Sequence, residues 1–271
     1  MEYTYIKVER RGPAEVLSLN DPATLNAVNH EMMEEMAAEL SRVEGDAETR
    51  VLVLTGEGRG FCSGANIKHM AEAGGAREIE AEPPSVDDLT PHLTYTRGVI
   101  YRLWKLSKPT IAAINGPCIT TGVGLSAACD FRIASDQARI GWIFLRRGLP
   151  PDDGSLGLLV KLLGYSKTYK LGLLGEIIPA QEALDIGLLD QVVPADELLP
   201  TCLELAERIA DAGPPLAQQM FKRLAVEAQF STYEDTARQV RLAFQTLTET
   251  EDHAEAVRAF AEKRPPRWTG R

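Results

Sequence analysis

Two short apolar runs, RVLVLTG at 50–56 and KPTIAAING at 108–116, limit most severely what this chain can fold into. Each is continuous rather than alternating and each closes on glycine, which is the pattern of a strand covered on both faces. Such strands need a layer on either side, and the intervening sequence offers one. NHEMMEEMAAELSRVEGD at 29–46 reads as an amphipathic helix with Met32, Met33, Met36 and Leu40 on one side and Gly45 near its end. Ahead of it, YTYIKVERR and AEVLSLN flank Gly12-Pro13 and read as a β-hairpin. Strands alternating with helices predict an α/β layer architecture. Between the two apolar runs, AEAGGAREIEAEPPSVDDLTPH is acidic and rich in Gly and Pro, the composition of a mobile loop, and a helix is expected from about Leu93 to Ser107. From about Ala195 the pattern is helical almost to the end, with a break at Gly213-Pro214-Pro215 and a new start at STYED. The expected division is a core at 1–195 and a helical C-terminal region at 196–271.

Charge and cysteine usage narrow the function. With 39 acidic against 29 basic residues the formal net charge is −10, so nucleic-acid or anionic-membrane binding is not expected; an anionic ligand needs a local basic cluster. Cys62, Cys118, Cys129 and Cys202 show neither close pairing nor zinc-like spacing, which argues against a disulfide framework or a metal site. The opening MEYTYIKVERRGPAEVLSL lacks an apolar block and no run approaches membrane-spanning length, so a cytoplasmic location is expected.

Four stretches could carry chemistry. GEGRGF at 56–61 is a weak match to a dinucleotide fingerprint, because its third glycine falls at Gly60 and the fingerprint position is Phe61. The following CSGANIKHM puts small residues where backbone amides could face a ligand, with Lys68 nearby for an anion; a plain turn between strand and helix explains it equally simply. In NGPCITTGVGLSAACDFRIAS a small-residue helix begins near Thr120 or Thr121, and Gly122 and Gly124 permit close approach. Free N–H groups at that helix start would stabilise an oxyanion, although helix-on-sheet packing also accounts for the small residues. Finally, RRGLPPDDGS at 146–155 places Asp152 and Asp153 before an apolar helix, as a cap or as a proton carrier. The four histidines form no HExxH-like group and read as surface positions.

Taken together, LNDPATLNAV, VLVLTGEGRGFCSGANIKHM, KPTIAAINGPCITTGVGLSAACDFRIAS and the closing EAVRAFAEKRPPRW resemble the enoyl-CoA hydratase/isomerase (crotonase) family across nearly the whole chain. The resemblance implies a spiral of ββα units, a helical C-terminal region that mediates homo-trimers or hexamers, and an acyl-CoA thioester as substrate, with coenzyme A part of the substrate and no separate cofactor. It places the two main-chain donors to the thioester oxygen on Ala65 and Thr121. It assigns Ala65, Asn66, Ile67 and Lys68 to the adenine and pantetheine portion of CoA, Lys263 to a phosphate, and Phe260 beside it. The distal acyl pocket would lie around 70–105, where Tyr95, Tyr101 and Trp104 read either as an aromatic-accommodating wall or as core.

Three departures qualify the resemblance. Asn66 stands for the usual aspartate, and Ala23 and Thr24 replace a basic residue, which implies modest CoA affinity. The two glutamates of the hydratases fall on Gly124 and Phe144, neither of which transfers a proton. Asp152 falls where the family's double-bond isomerases carry their acid–base carboxylate, so the implied activity is an allylic shift with Asp152 as shuttle, desolvated by Trp142, Phe144 and Leu149, and Asp153 as the helix cap. Ring isomerisation, C–C cleavage or decarboxylation of an acyl-CoA, and non-catalytic acyl-CoA binding, are the alternatives.

Overall fold

The computed structural model describes residues 3–66 and 96–271. Its centre is a six-stranded sheet. The antiparallel hairpin β1 (Ile6–Arg11) and β2 (Ala14–Leu19) turns at Gly12, which has φ +57°. Parallel to β2 follow β3 (Val51–Gly56), β4 (Thr110–Ile114), β6 (Phe131–Ser135) and β9 (Gln191–Val193), in the order β1-β2-β3-β4-β6-β9. A second sheet joins β5 (Cys118–Ile119), β7 (Arg139–Gly141) and β8 (Ile177–Pro179).

The continuous apolar runs are explained by two cores, one on each face of the large sheet. Leu52, Leu54, Ala112 and Ile114 face one core, while Val51, Val53, Ile111 and Ala113 face the other, the period-two alternation of a strand whose partners are apolar on both sides. The first core is closed by α1 (His30–Gly45), which buries Met32, Met33, Met36 and Leu40 and is capped by Asn29 accepting from the Met32 N–H. It also takes in α2 (Thr96–Lys105) through Val99, Ile100 and Leu103, and α3 (Thr121–Ala128). On α2 Trp104 packs against the core and stacks edge-on with Phe230, so it is core material, as one of its two readings held.

The all-helical run begins at α7 (Leu198–Ala212), after α4 (Ser155–Leu163), α5 (Tyr165–Leu174) and α6 (Ala180–Asp185). Helix α7 is a layer of the core itself: Leu198, Cys202 and Ala206, spaced four apart, cover the second sheet face. Beyond it, α8 (Pro215–Ala228) follows the Gly213-Pro214 break, α9 (Tyr233–Thr248) starts on a Thr232 cap, and α10 (Glu251–Glu262) on a Thr250 cap. Helix α9 buries none of its residues, and α10 packs chiefly against α9. Among the described residues no helix is long and apolar enough to cross a membrane, and no group of His, Cys, Asp or Glu is arranged to hold a metal. The acidic stretch at 72–92 lies outside the described residues.

Candidate active site

Parallel strands β3 and β4 end side by side at Gly56 and Ile114, and the loops that leave their carboxyl ends form the site, the usual position in an α/β sheet. Hydrogen bonds from several directions hold the end of β3 and the 57–66 loop. The buried Asn26 amide donates to the carbonyls of Glu57 (3.0 Å) and Gly60 (2.7 Å). The Asn115 amide donates to the Gly56 carbonyl at 2.8 Å. The Phe61 and Cys62 N–H groups both donate to the Pro117 carbonyl, at 3.1 and 3.0 Å. Buried backbone polar groups must find partners, and here side-chain amides supply them where the strand ladder stops.

The chain then runs between two neighbours. On one side the Val28 N–H donates to the Gly64 carbonyl (2.8 Å) and the Asn66 N–H to the Val28 carbonyl (3.1 Å); on the other the Ile119 N–H donates to the Cys62 carbonyl (2.8 Å). This stitching brings 62–66 alongside 118–121, so the Ala65 segment and the start of α3 are adjacent. Neither the Ala65 nor the Thr121 N–H donates to another group among the described residues. Thr121 opens α3, so its amide sits at the positive end of the helix dipole. Two unengaged main-chain donors on adjoining loops suit an oxygen on which negative charge develops.

Glycines set how closely the pieces approach. A Cβ at Gly122 would come within 2.6 Å of the Cys62 carbonyl oxygen, and one at Gly64, which has φ +94°, would overlap Thr120 Oγ1. A Cβ at Gly124 would meet Asp153 Oδ2 at 2.7 Å and Ile100 Cδ1 at 2.8 Å. The space beside Gly124 is therefore filled by a carboxylate arriving from the loop before α4.

That carboxylate corrects an expectation. The desolvated acid expected at Asp152 is Asp153: Asp152 is exposed, whereas Asp153 is 2% exposed. The cause is local. Asp153 Oδ1 accepts from the Ser155 N–H (3.0 Å) and the Ser155 hydroxyl (2.5 Å) at the start of α4, and these two bonds draw the side chain inward. The Ser155 hydroxyl in turn accepts from Trp142 Nε1 at 3.1 Å. Trp142 and Phe144, ring centroids 6.3 Å apart, are buried as expected, but Trp142 reaches the Asp153 cluster through Ser155, and Leu149 is exposed. The N-cap position of α4 is Gly154 rather than the expected Asp153, which engages Ser155 through one oxygen only. Oδ2 is buried with no hydrogen-bond partner among the described residues. Burial is the main reason the Asp153 pKa is raised; the Ser155 bonds work against it, and the neighbouring Asp152 charge adds a smaller push upward.

Of the other expected contacts, Asn66 is half-buried beside Val28, while Ile67 and Lys68 lie outside the described residues. Phe260 is 88% exposed on α10, and Lys263, also exposed, ends that helix in the left-handed region at φ +54°. Among the described residues no hydrogen bond or core contact ties either to the 61–66 or 118–124 segments within one chain. Asn26, Asn115, Gly64 and Thr120 are site-building residues that sequence reasoning passed over. The first two were visible only as amides near turns, and Thr120 appeared only as a helix start.

The family described as Enoyl-CoA hydratase/isomerase matches residues 12–271. The 2,3-dehydroadipyl-CoA hydratase of Escherichia coli is 34% identical over 97% of this chain and 98% of its own. The 1,2-epoxyphenylacetyl-CoA isomerase of the same organism is 33% identical over the whole of both chains. The crystal structure of an enoyl-CoA hydratase from Bacillus anthracis superposes with a TM-score of 0.88 at 30% identity, covering 99% of this chain and 100% of that one. On this sequence and structural evidence the chain belongs to the enoyl-CoA hydratase/isomerase family, and its fold is the crotonase fold.

Proposed function

We propose that this protein is an acyl-CoA isomerase that shifts a carbon–carbon double bond from the 3- to the 2-position, with Asp153 as the proton carrier and the Ala65 and Thr121 amides as oxyanion donors. The observation that carries the reading is the buried, unpartnered Oδ2 of Asp153 beside Gly124. In the ionised form Asp153 takes a proton from C2 of a 3-enoyl thioester. The electrons of that C–H bond form a C1–C2 double bond and push the carbonyl pair onto the thioester oxygen, giving a dienolate that keeps the C3–C4 double bond and carries its charge between the two amides. Asp153 then returns the proton to C4, leaving the double bond at C2–C3. One carboxylate serves both transfers and no water enters.

Gly124 and Phe144 support isomerisation over hydration, because addition of water needs a second group to activate it and neither residue has one. The relative named as an isomerase supports enolate chemistry of a related kind, ring isomerisation included. Asp152 is a weaker candidate for the shuttle, because its side chain is exposed to solvent rather than held beside Gly124. Asn66 and the residues after it, with Phe260 and Lys263, complete the proposal as CoA contacts, the ammonium of Lys263 facing a phosphate.

Solvent deuterium tests the reading directly. Incubated in deuterium oxide with a 3-enoyl-CoA, the enzyme should place label at C2 or C4 and convert the substrate to a conjugated product of otherwise unchanged mass. Hydration would add the mass of water, and a pure binder would leave the ligand unlabelled; either result refutes isomerisation.

The same proposal extends to assembly as a homo-trimer or hexamer. Val240, Leu242 and Phe244 on α9, and Val257 and Phe260 on α10, are large apolar side chains exposed in a single chain. Large apolar side chains left in solvent on two neighbouring helices are what a subunit interface would cover. Sedimentation equilibrium at micromolar protein should return three or six chains per particle; a monomer would overturn this.

A further inference from the structure

The loop that holds the second amide donor contains a residue in an unusual state. Thr120, immediately before α3, has φ +48° and ψ −105°, outside the regions that β-branched residues favour. Its hydroxyl is buried and has no hydrogen-bond partner among the described residues, in a side chain only 1% exposed. Its backbone is well tied down, for the Thr120 N–H donates to the Gly141 carbonyl at 2.8 Å and its own carbonyl accepts from Val123 at 2.9 Å. The chain thus holds a strained threonine and leaves its hydroxyl without a partner, two costs at one position. Strain and an unpaired polar group kept together in a well-packed site point to a ligand that relieves them.

The position of the hydroxyl indicates which ligand atom. Oγ1 lies directly against Gly64, so closely that a Cβ there would overlap it. Gly64 precedes Ala65, whose amide is one donor, and Thr120 precedes Thr121, whose amide is the other. The hydroxyl therefore sits between the two loops whose amides converge. A residue acting as a spacer could do so with an apolar side chain of the same shape; a hydroxyl is needed only if a hydrogen bond is to be made.

We propose that the Thr120 hydroxyl is a third donor to the thioester oxygen, adding a side-chain hydrogen bond to the two main-chain ones as the enolate forms. The proposal rests on the reading of Ala65 and Thr121 as oxyanion donors. Its energetic effect belongs to the charged state: a hydroxyl donating to an oxyanion forms a shorter and stronger bond than one donating to a neutral carbonyl, so it lowers the barrier more than it aids binding.

Isotope-edited infrared spectroscopy of bound [1-13C]butyryl-CoA, combined with turnover of a 3-enoyl-CoA, tests this. In the unaltered enzyme the carbonyl band should move to lower frequency on binding. Thr120→Val, which preserves shape and removes only the hydroxyl, should lose part of that shift and about tenfold in kcat, with KM nearly unchanged. Thr120→Ser should keep the shift. Thr120→Gly, free of backbone strain, should raise Tm yet share the kcat loss of the valine variant, which guards against a folding defect in the latter. If Thr120→Val keeps the full shift and full turnover, the hydroxyl is no donor and the proposal fails. If the unaltered enzyme binds butyryl-CoA with no shift at all, the oxyanion reading of Ala65 and Thr121 fails with it, and that result is distinct from the first.

Discussion

Asp153→Asn should lose about 10²- to 10⁴-fold in isomerase turnover and abolish deuterium entry at C2, while the protein stays folded. The asparagine carbonyl can still accept both Ser155 hydrogen bonds, so the start of α4 keeps its anchor and only proton transfer is removed. Asp152→Asn, altering an exposed side chain one residue away, should stay within about threefold of the parent. If the two variants exchange these outcomes, the shuttle is Asp152 and the buried carboxylate is purely structural.

The same residue gives the enzyme an opposed dependence of activity and stability on pH. The folded-state pKa of Asp153 is raised, chiefly by burial, above the ordinary carboxylate value of the unfolded chain. Between the unfolded and the folded pKa, the native state therefore holds a proton that the unfolded state has lost. In that window stability falls as pH rises. Activity moves the other way, because the base must be ionised to take the C2 proton, so kcat/KM rises through the folded pKa. The asparagine variant should lack this fall in Tm with pH, which a titration of Tm for both proteins would reveal.

How far the sequence could be read follows from what each inference depended on. The strands at 51–56 and 110–114 and the Met32, Met33, Met36 stripe were legible because burial on a whole face imposes a period that survives without any knowledge of neighbours. The helix start at STYED, where Thr232 forms the cap, was equally local. The choice between Asp152 and Asp153 was not, since adjacent residues in a loop point in different directions and no period selects one. It was decided by Ser155 and Trp142, the latter thirteen residues from Ser155, through a hydrogen-bond chain with no sequence signature. Thr120 was hidden for a related reason: a β-branched residue is a poor guess for positive φ, and only the surrounding loops hold it there. The roles of Phe260 and Lys263 were suggested by likeness alone, and a single chain leaves both side chains in solvent.

Gly124→Ala is the second change expected to act strongly, and it does so without removing a single polar atom. Glycine at this position looks at first like a loss, the point where a hydratase would carry a glutamate. That reading comes from the resemblance; the structure itself shows the space beside Gly124 taken up by Asp153, with Ile100 Cδ1 and Ser155 Cβ also close to it. A methyl group built there would lie 2.7 Å from Asp153 Oδ2 and 2.8 Å from Ile100 Cδ1, so both must shift. Overpacking of this kind costs about 1–3 kcal/mol of stability. The catalytic loss should be larger in proportion, because a carboxylate displaced by about 1 Å from the reacting carbons can lose on the order of 100-fold in rate. Urea unfolding and steady-state kinetics on Gly124→Ala and on the Gly124→Ala/Asp153→Asn double variant separate the two effects. If the methyl group acts by moving Asp153, adding it to the asparagine variant should cost stability and almost no further activity, because the group it displaces no longer carries a proton. Independent, multiplying losses would instead mean that Gly124 serves the substrate directly, and that the carboxylate beside it is a neighbour and not the reason the glycine is there.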